Sequence, residues 1–220
     1  MPEILIRKYN DTDLEQVLNI CHKTGYMGKD LEGTGEFGDR KLFGYFFCAY
    51  YLLYEKEHCF VAVDSEHDNM VVGYIIGTMN TKRQIIMFMM KMSWRIGLRL
   101  LYTFCMYPSI LKSIRNMLKN KTYKYMPKNL YNEYPAHLHI NMLPEYQGRS
   151  IGTSLLATFE NHIKNNPGIQ EKGIHLKTSN KNCSAIKFYI KNGYTKLLEF
   201  SDTLWGNVED YKTIIFVKKL

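Results

Sequence analysis

The stretch EYQGRSIGTSLL, Glu145 to Leu156, is the part of this chain that decides its fold class. It follows AHLHINML (136–143), whose alternating apolar and polar residues predict a strand that ends before Pro144. From residue 151 to about 164 the apolar residues recur at helical spacing. The stretch therefore predicts a strand, a short loop and a helix in direct succession.

The loop of this unit, residues 147–152, has the composition of an anion site. The first turn of a helix carries free backbone N–H groups, and its dipole favours negative charge. Gly148 and Gly152 would let a ligand approach the backbone, and Arg149 adds a positive charge. The loop matches neither GxxxxGK[ST] nor GxGxxG, so a P-loop and a dinucleotide fold are poorly supported.

A second block, NCSAIKFYIKNGY, begins about thirty residues later at Asn182. Together the two blocks resemble the GNAT acetyltransferases, which carry [QR]xxGx[GA] at a pyrophosphate loop and then an NxxAxxFYxxxGF-like segment. The first motif corresponds here to QGRSIG (147–152), with Ser150 where the family usually has glycine. The second motif corresponds to Asn182, Ala185, Phe188, Tyr189, Gly193 and Tyr194.

The resemblance extends over most of the chain outside residues 82–132. The segments IRKYNDTDLEQVLNICHKTG, CFVAVD, VVGYIIGT and YPAHLHINMLPEYQGRSIG are similar to bacterial relatives of the acetyltransferase-like domain of O-GlcNAc hydrolases. Asn141 departs from that branch, in which an aspartate is expected. This departure weakens the transfer of a general-base role to position 141.

The expected fold is a single α/β domain over residues 1–220. The resemblance implies a mixed, mostly antiparallel GNAT-like sheet flanked by helices, with a basic helical insertion at about 82–132. The residue patterns agree, because strand–helix–strand units alternate with hairpins. Strands are predicted at 4–8, 59–63, 71–78, 136–143, 173–178, 194–200 and 211–218. Helices are predicted from 11 or 12 to 22, at 42–54, at 151–164 and at 182–192.

The resemblance also implies acetyl-CoA as co-substrate and gives site residues their roles. The backbone amides of 147–152 would hold the pyrophosphate, and main-chain groups at the end of the preceding strand would polarise the thioester carbonyl. Tyr189 would protonate the departing thiolate, and Asn182 would bind the pantetheine arm, cap its helix, or do both. The expected cofactor-binding residues are Met142, Leu143, Gln147, Gly148, Arg149, Ser150, Ile151, Gly152, Asn182 and Tyr189.

The general base is open between several candidates. His137 and His139 lie two apart on a strand and so share a face, and a histidine suits an amine base. Asp30 lies in a glycine-rich loop near the expected acceptor entrance. A water relay without a dedicated base is a further alternative. The predicted reaction is transfer of acetyl to a primary amine of a small molecule or peptide, and the alternative is a non-catalytic acyl-CoA-binding or sensor domain.

Positive charge is concentrated in one segment. The chain has 29 Lys and Arg and 21 Asp and Glu, yet residues 69–132 hold eleven of the cations and none of the acids. This segment is expected to be an insertion whose apolar face packs on the domain and whose lysines are solvated; the alternative is that it docks on an anionic membrane surface or an acidic partner. A membrane-associated interaction protein built on these helices is therefore a third interpretation. No recognition motif for nucleic acid accompanies the charge.

Cysteine usage and the N-terminal sequence predict a cytoplasmic protein. The five cysteines are scattered and form no CxxC pair, so we expect reduced thiols and no metal site. MPEILIRKYND has no apolar signal region, and no apolar run approaches the roughly 20 residues that span a bilayer.

Overall fold

One mixed sheet forms the centre of the computed structural model, which describes residues 3–107, 110–119, 122–166, 173–202, 204–205 and 208–220. Within these residues it has seven strands in the order β1-β2-β3-β4-β5-β7-β6. The strands are β1 Ile4–Lys8, β2 Phe60–Asp64, β3 Met70–Thr78, β4 Ala136–Met142, β5 Gly173–Ser179, β6 Thr195–Ser201 and β7 Lys212–Lys219. Every neighbouring pair is antiparallel except β4–β5, which confirms the predicted mixed, mostly antiparallel sheet.

The parallel pair in the middle of the sheet is very short. Within the part of the chain that the structure describes, β4 and β5 pair only at Ala136↔Ile174 and His137↔His175. On its other side, β4 stays paired with β3 as far as Met142↔Gly73. β4 and β5 therefore separate beyond His137, and the last part of β4 has one open edge.

Helices cover both faces of the sheet. They are α1 Leu14–Lys23, α2 Arg40–Phe47, α3 Ala49–Tyr54, α4 Thr81–Met106, α5 Ile110–Lys119, α6 Leu130–Glu133, α7 Ile151–Lys164 and α8 Cys183–Lys191. The ring of Tyr51 in α3 contacts His137 and His139 on one face of β4. On β3, Gly77 pairs with Leu138 of β4. A Cβ added at Gly77 would meet the Phe159 side chain, so α7 lies against the opposite face of the sheet. Alternate β4 side chains thus point to different layers.

The prediction of one helix over 42–54 was wrong. α2 ends at Phe47 and α3 begins at Ala49, because Cys48 leaves the helical backbone with φ −134° and ψ −35°. Cys48 is fully buried and Tyr50 and Tyr51 follow it in the core. The break lets α3 take its own direction and place Tyr51 against β4.

The basic insertion is helical, as predicted. It comprises α4, α5, a 3-10 turn at Thr122–Tyr125 and α6, while residues 108–109 and 120–121, including Lys121, lie outside the described part. α4 begins at an N-cap, in which the Asn80 side chain accepts from the Arg83 N–H at 3.0 Å. Met92 and Ile96, on the side of α4 that faces the core, are buried.

Two buried carboxylates join this insertion to the glycine-rich loop of residues 24–39. Arg99 donates from Nε to Asp39 Oδ2 at 2.7 Å and from Nη2 to Asp39 Oδ1 at 3.1 Å. Ser113 of α5 donates to the Glu36 carboxylate, and Lys112 lies 3.6 Å from it. Part of the insertion's positive charge therefore neutralises acids inside the protein and is not free for an external partner.

Candidate active site

A cavity of about 380 Å³ opens where β4 and β5 separate. Its walls come from the end of β4, the loop before α7 with the first turn of α7, one side of α8 along its length, and the loop after α1. The lining includes Ile140, Asn141, Met142, Gln147, Gly148, Ser150, Ile151, Gly152, Asn182 and Tyr189, and from the α1 loop Thr24 and Gly28. Most of the residues predicted to bind a cofactor are thus brought together around one space.

The loop before α7 is shaped by left-handed backbone positions. Gly148 has φ +76° and Ser150 has φ +62°, and a Cβ at Gly148 would meet no atom within 4 Å. The backbone N–H groups from Arg149 to Thr153 have no hydrogen-bond partner among the described residues. Unpaired N–H groups at a helix start suit an anion such as a pyrophosphate.

Side chains fix this loop to the sheet. Gln147 donates from Nε2 to the Met142 carbonyl at 3.1 Å. Tyr146 donates its hydroxyl proton to Asp64 Oδ2 at 2.8 Å, and the Asp64 side chain is fully buried. The loop is therefore held against the ends of β4 and β2 before any ligand arrives.

Cations of α8 complement the loop in a way that the sequence motifs did not indicate. Lys187 and Lys191 line the cavity, and neither forms an ion pair with a described residue. They are four residues apart, so they lie on one side of the helix. Arg149, the predicted auxiliary cation, does not line the cavity, and its guanidinium lies 5.3 Å from the Tyr146 ring centre.

The open edge of β4 presents backbone groups to the cavity. Leu143 donates its N–H to the Val72 carbonyl at 2.9 Å, on the β3 side. Backbone groups alternate sides along an antiparallel strand, so those of Ile140 and Met142 point into the gap towards β5. The Leu143 N–H is therefore already used, and Leu143 does not line the cavity. The Met142 N–H, at the strand end, bonds none of the described residues.

Tyr189 lies where the motif predicts a proton donor. Its side chain is 6% exposed and lines the cavity, and its ring packs against Phe188, Tyr194 and Phe216. Its hydroxyl forms no hydrogen bond with a described residue. Burial raises the pKa of this phenol, so it is protonated at neutral pH and can donate.

Asn182 is an N-cap and also meets the opposite wall. Its Oδ1 accepts from the Ala185 N–H at 3.1 Å. A Cβ at Gly28 would lie 2.9 Å from the Asn182 amide nitrogen, and Gly28 has φ +86°. The α1 loop thus closes against α8 only because position 28 is glycine. In the sequence, only the glycine content of this loop indicated that it approaches the site.

The two histidines of β4 face α3 and are not among the described residues that line the cavity. His137 has both ring nitrogens engaged, with Tyr51 Oη at 2.5 Å and Thr81 Oγ1 at 2.8 Å. The one hydrogen bond of His139 with a described residue is longer, 3.4 Å, to the same Tyr51 hydroxyl. Burial lowers the pKa of His139 to about 4, and the charge of Lys177 on β5 adds to this shift. His139 is thus neutral above pH 5 and is the more available of the two.

Asp30 does not reach the cavity. Its Oδ1 accepts from the Glu32 N–H at 2.9 Å and lies 3.9 Å from His22 Nδ1. Asn141 does line the cavity, and its amide donates to the Tyr74 hydroxyl at 2.7 Å. The described lining residues include no carboxylate and no histidine. A proton leaving an amine in this cavity therefore has to pass through water.

Part of the chain matches a known domain family, and the whole chain resembles solved structures in its fold. Residues 122–196 match a family model described as an acetyltransferase (GNAT) domain, a range that includes β4, the loop, α7, β5 and α8. A crystal structure of SsHAT is 27% identical, with a TM-score of 0.71, and the match covers 97% of this chain and 98% of that one.

Two further crystal structures show the same fold at lower identity. An N-acetyltransferase from Staphylococcus aureus Mu50 is 11% identical, with a TM-score of 0.57, over 99% of this chain and 98% of that one. A GNAT-family acetyltransferase from Bacillus cereus ATCC 10987 is 15% identical, with a TM-score of 0.51, over 99% and 97%. The narrower likeness to relatives of O-GlcNAc hydrolase domains stays a prediction.

Proposed function

We propose, from the match of residues 122–196 to an acetyltransferase (GNAT) domain, that the protein transfers the acetyl group of acetyl-CoA to a primary amine of a small molecule or peptide. One observation carries the proposal. Backbone N–H groups at the start of α7, the Met142 N–H and the Tyr189 hydroxyl, none of which bonds a described residue, all lie around a single cavity.

The anion-binding end would take the pyrophosphate. The N–H groups of the loop supply hydrogen bonds, and Lys187 and Lys191 supply the charge that Arg149 was expected to add. The open space above Gly148 leaves room for a bulky anion. The open edge of β4 at Ile140 and Met142 offers backbone donors and acceptors to the amide groups of a pantetheine arm.

At the reacting end, acetyl-CoA would supply a thioester, whose carbonyl carbon is attacked by the amine. The Met142 N–H would stabilise the oxyanion, a contribution of a few kcal/mol for a preorganised donor. The Tyr189 hydroxyl would give its proton to the departing sulfur. The amine proton would leave through water, with neutral His139 on the α3 face as the acceptor that the geometry favours over Asp30.

A non-catalytic acyl-CoA-binding or sensor domain is the second candidate. It is favoured by Asn141 in place of a carboxylate and by the lack of an acid or histidine among the described lining residues. Both candidates need the same anion-binding loop. They differ in the use of Tyr189, because a sensor has no thiolate to protonate.

Free-thiol release separates the two. The protein would be mixed with acetyl-CoA and, in turn, amino acids, amino sugars, peptides and polyamines, and calorimetry would measure acetyl-CoA binding on the same sample. Acetyl-CoA binding with amine-dependent thiol release supports the enzyme. Binding without thiol release from any amine supports the sensor, and the lack of binding would contradict both.

A further inference from the structure

The outer face of α4 is apolar and uncovered. Ile86, Met90, Trp94, Leu98 and Leu101 are each more than half exposed. Their spacing of three and four residues puts them on one side of the helix, opposite the buried Met92 and Ile96. A surface helix of a soluble domain normally has charged and polar residues on this side, so the face indicates a contact with something apolar.

α5 repeats the pattern with charge added. Leu111 and Leu118 are exposed, and Leu118 is the most exposed large apolar side chain among those described, at 78%. Arg115 is exposed four residues after Leu111 and three before Leu118, and the exposed Lys119 lies four residues after Arg115, so both cations are on the same side of this helix. Apolar and basic side chains alternate on its surface, which is typical of helices that lie in a lipid interface.

We propose that this outer face, made by α4 and α5, docks on an anionic lipid surface. Charge complementarity selects the lipid, because residues 69–132 contain no Asp or Glu and the face therefore has only positive charge to offer. A second copy of the chain docked on the same face would bring cations against cations. The headgroups of an anionic bilayer instead neutralise the cations, while its acyl region accepts the leucines and Trp94.

The docking is peripheral. None of the described helices is long and apolar enough to cross a membrane. The cations that bear on the lipid must also be ones that the fold has not already used. Arg99 and Lys112 contact the buried carboxylates of Asp39 and Glu36, which leaves exposed residues such as Arg83, Arg115 and Lys119.

The two tryptophans make a direct test possible. Trp94 lies in the outer face and is 56% exposed, whereas Trp205 is 3% exposed in the core. Vesicles of phosphatidylcholine, with and without phosphatidylglycerol, would carry brominated acyl chains that quench tryptophan on contact. We expect quenching only with the anionic vesicles, its loss in Trp94→Phe, and its decrease as salt is added.

Two variants and one control define the surface. The double variant Leu98→Ser, Leu101→Ser should weaken partitioning into anionic vesicles at least about tenfold. The triple variant Arg83→Gln, Arg115→Gln, Lys119→Gln should weaken it about fivefold for each charge removed. The control is Leu5→Ser on edge strand β1, which removes an apolar side chain that is also more than half exposed, at 55%, and should leave partitioning unchanged.

Three results would overturn the proposal. The first is equal quenching by neutral and anionic vesicles at low salt. The second is self-association in sedimentation that Leu98→Ser with Leu101→Ser abolishes, which would identify a second copy as the occupant. The third is binding to soluble poly-glutamate as tight as to vesicles and unaffected by the same leucine changes, which would identify an acidic macromolecule.

Discussion

Arg99 and Asp39 form a two-bond ion pair, with Nε to Oδ2 at 2.7 Å, between the middle of α4 and the end of the 24–39 loop. Asp39 also caps α2 by accepting from the Lys41 and Leu42 N–H groups. One carboxylate thus connects the insertion, the glycine-rich loop and the first helix after it. The loop that brings Gly28 to the cavity is anchored at its far end by this pair.

Asp39→Asn should therefore destabilise the fold while it keeps the cap. The amide can still accept from the α2 N–H groups, but Arg99 loses its counter-charge. Breaking a buried pair costs about 3–5 kcal/mol, and we expect about 3 kcal/mol because Arg99 is partly exposed. Urea unfolding would measure the change, with the exposed Glu66→Gln as control. A loss below 0.5 kcal/mol would contradict the anchor.

The same pair predicts an acid sensitivity. Burial alone would raise the pKa of Asp39, but hydrogen bonds from Arg99 and Thr103 outweigh it and lower the pKa below its ordinary value. The stabilisation is present above the unfolded pKa of about 3.9 and is lost as pH falls through the lower folded value. Between pH 6 and 3 the wild type should lose more unfolding free energy than Asp39→Asn.

Tyr189→Phe tests the proton donor. The ring contacts with Phe188, Tyr194 and Phe216 stay, and the change removes only a hydroxyl that bonds no described residue. Turnover should fall about 10²–10⁴-fold, the usual contribution of general acid catalysis, with little change in acetyl-CoA affinity. Tyr194→Phe is the matched control, because that hydroxyl bonds Glu160 and lies outside the cavity lining. Equal turnover of wild type and Tyr189→Phe would make Tyr189 a packing residue.

Gly148→Trp tests the anion site, with Gly148→Ala as its control. Both variants add a Cβ at φ +76° and share the backbone strain, but only tryptophan fills the open space above the loop. Calorimetry should show acetyl-CoA binding weakened at least tenfold more in Gly148→Trp than in Gly148→Ala. Arg149→Ala should cost less than either, because Arg149 does not line the cavity. Unchanged affinity in a folded Gly148→Trp protein would remove the loop from the site.

Ser150→Gly should stabilise the protein. Ser150 has φ +62°, and a left-handed position costs a non-glycine residue about 1–2 kcal/mol. Glycine relieves this but is more flexible when unfolded, so the net gain should be about 1 kcal/mol. Ser150→Ala keeps the Cβ and should be neutral. If both substitutions leave the thermal midpoint unchanged, the position is not strained.

His139→Gln tests the proton acceptor. With its pKa lowered to about 4, His139 is neutral throughout pH 5–8, so the rate should show no inflection near the ordinary histidine value of 6.5. Turnover in His139→Gln should drop about 10²-fold at pH 7. Asp30→Asn should stay within twofold of wild type. A larger loss of turnover in Asp30→Asn than in His139→Gln would instead identify Asp30, in the glycine-rich loop, as the proton acceptor.

The sequence predicted best what is local. Residues 151–164 are helical as the periodicity indicates, and the motif spacing placed Tyr189 and the 147–152 loop, which line one cavity in the structure. These features depend on neighbours a few residues apart, whose effect can be read from a pattern. The fold class followed from the same unit.

Contacts between distant residues were not predictable in this way. Arg99 and Asp39 are sixty positions apart, and nothing in either segment marks the other as its partner. Lys187 and Lys191 look like ordinary helix lysines until the helix is placed beside the cavity. The break at Cys48 depends on what surrounds it in the core. The Leu143 N–H was ruled out as a donor to the ligand only by the structure, in which it bonds the Val72 carbonyl of β3.

Among the described residues, two pairs, Ala136↔Ile174 and His137↔His175, join the two halves of the sheet along β4 and β5. A molecule bound along the open edge would therefore act as a missing strand segment and tie β1–β4 to β5–β7. The amides of Ile140 and Met142 should then exchange slowly with solvent only when the cavity is filled. The free energy of unfolding should therefore rise with ligand concentration, and the protein would resist unfolding most when acetyl-CoA is abundant.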